Sequence, residues 1–109
     1  MLFRSEVDNF VNLPYHASYS SHIYNQFVIR AGRRDELMQH LKNNGIGTEV
    51  YYPIPLHLQE CYSFLGHKTG DFPQAEKAAQ QTLALPIFPE LTSPQQAYVV
   101  EQMGSFYRM

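Results

Sequence analysis

The sequence predicts an α+β domain, a small sheet of about three strands covered by helices. Short β-branched and aromatic runs suited to strands occur at 22–30, 48–52 and 84–87. Apolar residues recur at helical spacing in 34–44, 72–83 and from 93 onward. Gly or Pro stands at most of the junctions. A sheet that packs its helices on one face is the natural way to bury both patterns.

The elements follow in order. Leu2, Phe3, Val7, Phe10 and Val11 are scattered as at the end of a helix, which Leu13-Pro14 stops. Tyr15 to Ser21 is a polar, Ser-rich connector. Residues 1–21 therefore read as a connector whose apolar side chains need a partner upstream, and 22–109 as the domain proper. In the first strand Ile23, Phe27 and Ile29 alternate with Tyr24, Val28 and Arg30, and Gly32 breaks it.

Leu37, Met38 and Leu41 share one face of the first helix, and Asp35 and Glu36 suit the positive end of its dipole. Gly45 is a left-handed stop, with Ile46 placed to pack back on the last turn. Thr48 to Tyr52 is a strand ended by Pro53 and Pro55, followed by an irregular stretch with a short helix near Glu60 to Phe64. Asp71 caps a helix from Phe72 through Leu83, with Pro73 in its first turn. Ala84 to Ile87, interrupted by Pro86, is an edge strand or strand end. Ser93-Pro94-Gln95-Gln96 supplies an N-cap, an early Pro and a capping-box Gln for a last helix that buries Ala97, Val99, Val100, Met103, Phe106 and Tyr107.

With 109 residues the chain is one domain at most, yet large enough to hold a core without disulfides or metals. The formal net charge is -2 and no basic run exceeds Arg33-Arg34, which gives no footprint for nucleic acid. No basic leader and no apolar run of ~18 residues is visible, so neither secretion nor a membrane partner is expected. The single cysteine, Cys61, excludes an intrachain disulfide and suits the cytoplasm. Eight Tyr and seven Phe carry all the aromatic content, an enrichment found where a surface meets a ligand or a partner. Tyr rings that merely fill a small core would give the same count.

The segment Thr48-Glu49-Val50-Tyr51-Tyr52-Pro53-Ile54-Pro55-Leu56-His57 stands out. Two prolines one residue apart fix an extended backbone that cannot enter a sheet centre. They present Tyr51, Tyr52 and His57 at defined positions, and phenols with an imidazole suit a polyhydroxylated ligand. The plainer alternative is that both rings pack on the sheet and His57 caps a turn. Arg30, near its strand end, and Arg33-Arg34 are cations that suit a phosphate, with surface ion pairs to Asp35 or Glu36 as the ordinary alternative.

His57, Cys61 and His67 have metal-ligating side chains, but a fourth ligand from Asp71 or His22 lacks characteristic spacing, so no metal is expected. Cys61 lies between Glu60 and Tyr62, a setting that disfavours a thiolate nucleophile.

HIYNQFVIR (22–30), RRDEL (33–37), GIGT followed in turn by YYPIPLHLQ (51–59), GDFPQAEKAA (70–79) and ALPIFPELT (84–92) carry a resemblance. These blocks, in this order, are similar to the C-terminal part of DegT/DnrJ/EryC1/StrS aminotransferases. The resemblance runs from about Val11 to Tyr107. It implies the small domain of a two-domain fold-type-I enzyme that uses pyridoxal phosphate (PLP) and works as a homodimer with a large domain missing here. The reaction it implies moves an amino group from glutamate to a keto nucleotide-sugar, for cell-surface polysaccharides or antibiotic sugars.

In such enzymes the loop matching Tyr51 to His57 closes over the active site, which makes Tyr52, His57, Tyr51 and Arg30 the substrate-binding candidates. Relatives often carry His where Tyr51 stands, so an acid/base role for that position does not transfer. Asn25, where many have His, resembles the branch acting on 3-keto nucleotide sugars. The family's PLP lysine has no counterpart: Lys42, Lys68 and Lys77 read as solvated surface. This chain alone is therefore expected to hold no PLP and to have no catalytic residue. A stand-alone small-molecule binding or self-association module is the competing expectation.

Overall fold

The computed structural model describes residues 11–21 and 23–108. Strands β1 (Val11–Asn12), β2 (Phe27–Ala31) and β3 (Thr82–Leu85) form an antiparallel sheet in the order β1-β2-β3. Val11 opposes Ala31, and Phe27 opposes Leu85. Helices α1 (Arg34–Asn43), α2 (Pro73–Gln81) and α3 (Ser93–Arg108) complete the fold, with 3-10 turns at Leu56–Leu58 and Glu60–Leu65. The α+β class and the three-stranded sheet agree with the sequence pattern.

Alternation along β2 sends Phe27, Ile29 and Ala31 into the core, where Leu83 and Leu85 of β3 join them. Leu37 and Leu41 of α1 and Val99, Val100, Met103 and Phe106 of α3 close the cluster from the helical side. Six side chains, Phe27, Ile29, Leu37, Leu41, Leu83 and Met103, are almost wholly removed from water. Burying each contributes about 1.5–3 kcal/mol.

Helix ends confirm some signals and shift others. Gly45 has φ +79°, and Ile46 N–H donates to the Leu41 carbonyl at 2.9 Å, so the left-handed stop forms as expected. The box that opens α3 sits one residue early: Thr92 Oγ1 accepts from Gln95 N–H, while Gln95 Oε1 accepts from Thr92 N–H. Ala97 is exposed rather than buried. Asp71 does not cap α2; its carboxylate accepts the Lys68 N–H instead.

Strand limits also differ. The first strand begins at Phe27, because Tyr24 has φ +49° and Ile23 faces solvent. Thr48 to Tyr52 reduces to one bridge, Glu49 to Ala84, since the prolines that follow cannot extend a ladder. Val11–Asn12, within the stretch read as a connector, supplies the third strand. The helix end expected over Met1 to Val11 is not seen at Val11, which is in β1, while residues 1–10 and the strand start at His22 lie outside the described residues.

Candidate functional site

The segment expected to carry function is clamped to the fold near both ends. Glu49 and Ala84 exchange backbone hydrogen bonds of 3.2 and 2.7 Å, which lay the segment against β3. Tyr51 and Tyr52 follow, half-exposed and 62 % exposed, with their rings edge-to-face at 6.2 Å. Pro53 and Pro55 fix φ through the bend. Gln59 Nε2 donates to the Ile54 carbonyl at 3.1 Å, and Leu58 N–H donates to that of Pro55.

Tyr51 lines a hollow of about 320 Å³ with Asn25, Gln26, Thr48 and Glu49, floored by Ala84 to Phe88. Amides, a hydroxyl, a carboxylate and a phenol beside the Phe88 ring can donate to and accept from several hydroxyl groups of one ligand.

His57 stands elsewhere. Its side chain is 6 % exposed, and Nε2–H donates to Glu76 Oε2 at 3.1 Å. It backs a second, largely apolar hollow of about 520 Å³ with Leu56, Tyr62, Leu65, His67 and Phe72. The His57 and His67 rings each meet Phe72 edge-on at 4.9 Å, and His67 Nδ1 lies 3.7 Å from Asp71 Oδ2. Glu76 also accepts the N–H groups of Gly70 and Phe72. Burial pushes its carboxyl upward, but the hydrogen bonds from Gly70, His57 and Phe72 outweigh that and hold it below its ordinary value of 4.5.

The four predicted residues thus fall in different places. Tyr51 and Tyr52 adjoin, His57 lies in the second hollow with its Nε2 committed to Glu76, and Arg30 is near the end of β2, between Asn12 and Thr82. Among the described residues the Arg30 guanidinium has no hydrogen-bond or ion-pair partner. Arg33 pairs with Glu36 at 2.6 Å, and the buried Arg34 binds Asp35 and the Thr82 carbonyl, so these two act within the fold. Sequence reading missed Glu76, whose only local signal is an acidic residue in the first turn of α2. Gln26 and Glu49, which line the first hollow, lay within segments the sequence singled out but were not themselves named as site residues.

Among the described residues no group of three His, Cys, Asp or Glu side chains converges for a metal ion. No helix there is long and apolar enough to cross a membrane.

The small antiparallel sheet with its helices and proline-stiffened tyrosine loop matches the C-terminal region of an aminotransferase of known structure. The chain belongs to the DegT/DnrJ/EryC1/StrS aminotransferase family, whose model matches residues 4–104. It is 50% identical to the pleiotropic regulatory protein of Geobacillus stearothermophilus over 98% of this chain and 29% of that protein. It is 40% identical to the dTDP-3-amino-3,4,6-trideoxy-alpha-D-glucose transaminase of Streptomyces venezuelae, over 84% of this chain and 24% of the enzyme. Crystalline S. venezuelae DesV, in complex with a ketimine intermediate, superposes with a TM-score of 0.92 at 34% identity, covering 98% of this chain and 29% of DesV. The chain spans less than a third of the length of these relatives.

The residues present do not fit PLP. The cofactor needs a buried, pKa-lowered lysine, and Lys42, Lys68 and Lys77 are all exposed. Neither hollow is lined by a lysine.

Proposed function

We propose that residues 22–109 are the C-terminal small domain, and 1–21 its connector, whose Val11–Asn12 strand joins the domain's sheet, of a cytoplasmic, homodimeric PLP aminotransferase. In this reading the whole enzyme moves an amino group from glutamate to the 3-keto group of a nucleotide sugar bound for a cell-surface polysaccharide or an antibiotic. A large domain supplies the PLP lysine, so the chain alone is inactive. The observation that carries the reading is the fit of 98% of this chain to 29% of DesV. Position 3 is favoured by the 3-amino product in the name of the S. venezuelae transaminase and by Asn25 beside the first hollow.

This chain's own residues would bind and orient the sugar. The Tyr51 and Tyr52 phenols hydrogen-bond ring hydroxyls, the unpaired Arg30 cation faces a phosphate, and the His57 side of the loop holds these groups in place. The test is a chimera in which this chain replaces the matching segment of the S. venezuelae transaminase, assayed for glutamate-dependent amination of its keto-sugar. Transfer by the chimera, lowered about tenfold in kcat/KM (~1.4 kcal/mol) by Tyr52→Phe, is the expected result. A folded, PLP-loaded chimera that transfers nothing contradicts it.

A second reading, a binding or self-association module, is favoured by the regulatory name of the half-identical relative and by the exposed Phe64 and Leu65. Concentration-dependent dimers of the isolated chain in sedimentation would support it, and a strict monomer removes the self-association form.

A further inference from the structure

Tyr51 and Tyr52 project from a segment that its own burial does not hold. Val50 packs against the core, but beyond it Tyr51, Tyr52, Pro53 and Ile54 are all exposed, so burial of their own side chains does not fix their positions. The two ends are tied by different means. Backbone bonds to Ala84 hold the Glu49 end against β3. The far end is held by the His57 imidazole, inserted beside Phe72 and bonded to Glu76. Two prolines and the Gln59–Ile54 bond stiffen the span, so a displacement of His57 is carried back to the tyrosines rather than absorbed.

Glu76 does more than complete a helix end. Two of its partners, Gly70 and Phe72, belong to the turn before α2, and the third, His57, belongs to the tyrosine loop. One carboxylate therefore ties the turn before α2 to the tyrosine loop, and charge-assisted bonds of this kind are the stronger ones.

We propose that Glu76, acting through His57, is the residue that positions Tyr51 and Tyr52. Its consequence for sugar binding rests on the reading that these tyrosines meet the substrate. Glu76 touches no substrate in this scheme. It sets where the two phenols stand, and His57 transmits that setting instead of contacting the sugar itself.

Nuclear magnetic resonance of the 109-residue chain tests this without any sugar. In the wild type the edge-to-face rings of Tyr51 and Tyr52 give a ring-to-ring cross-peak. Glu76→Ala and His57→Ala should each abolish it, with resonances of Leu41, Leu83 and Met103 unmoved. His57→Gln, whose amide nitrogen reaches the place of Nε2, should restore it, which a merely space-filling role for His57 would not predict. Persistence of the cross-peak in both alanine variants overturns the proposal. So does collapse of the core resonances in Glu76→Ala, because Glu76 would then hold the fold and not the loop. A failure here leaves the transamination reading intact, and an inactive chimera leaves the clamp intact.

Discussion

The sheet-and-helix core and the segment from Tyr51 to Phe72 treat the same residue types in opposite ways. In the core Phe27 and Phe106 are buried, and the half-buried Tyr107, packed against them, donates its hydroxyl to the Gly32 carbonyl at 2.8 Å. Between 51 and 72, Tyr52, Ile54, Leu56 and Leu65 are more than half exposed, and Phe64 is 78 % exposed. The core is held by burial. The loop region is held by prolines, the Gln59 and Glu76 hydrogen bonds and two short 3-10 turns. Most of the apolar side chains there stay exposed, and the backbone that carries them is ordered by polar clamps.

The sharpest contrast comes from truncating one side chain in each region. Met103→Ala should cost about 2–5 kcal/mol, because the cavity it leaves is enclosed by β2, α1 and α3. Phe64→Ala should change stability by no more than about 0.5 kcal/mol. Urea unfolding reads both, and similar losses at the two sites would erase the distinction between core and loop.

Tyr107→Phe should cost about 1 kcal/mol by removing the bond to Gly32. Burial raises the Tyr107 phenol above 10.0, against a smaller opposing pull from Arg33. Its share of stability is therefore complete below pH 10 and fades as pH rises through the raised value. The variant should lose that alkaline slope in thermal melts, and an unchanged slope would show that Tyr107 is not its source.

The acid side belongs to the clamp and carries the smallest effect. Glu76 is held below 4.5, so its contribution is complete above that pH and fades as pH falls through the lowered value. Glu76→Gln should flatten this part of the acid melting profile, with little change at neutral pH beyond the cost of the lost charge-assisted bonds. An identical acid profile would mean that the carboxylate is not what the acid titrates.

What could be read from the sequence divides along the same line. The α1 face, the Gly45 stop and the alternation of β2 rest on neighbours within one or two turns, so local pattern exposed them. The capping box was visible but misplaced by one residue, because Thr92 and Ser93 are equally good caps and only the Gln95 bond distinguishes them. β1 is two residues long and has no pattern of its own to read. The Thr48 to Tyr52 strand was overcalled, since its partner, β3, lies over thirty residues away and only Glu49 reaches it.

In the candidate site, the prolines and tyrosines pointed to phenols presented beside a bend, and Tyr51 and Tyr52 are exposed there. The commitment of His57 to Glu76 did not show, because it joins residues 19 apart that become neighbours only when α2 packs beside the loop. A histidine that suited a polyhydroxylated ligand by type turned out to be engaged within the fold.

In the proposed whole enzyme the tyrosine loop is covered by the large domain. Amide hydrogen exchange of the 109-residue chain, alone and within the chimera, measures this. The prediction is strong protection of β2, β3, α1 and α3 in both, with amides from 51 to 72 exchanging fast in the isolated chain and slowly in the chimera. Equal exchange of that segment in the two, in a chimera that is folded, would contradict the account.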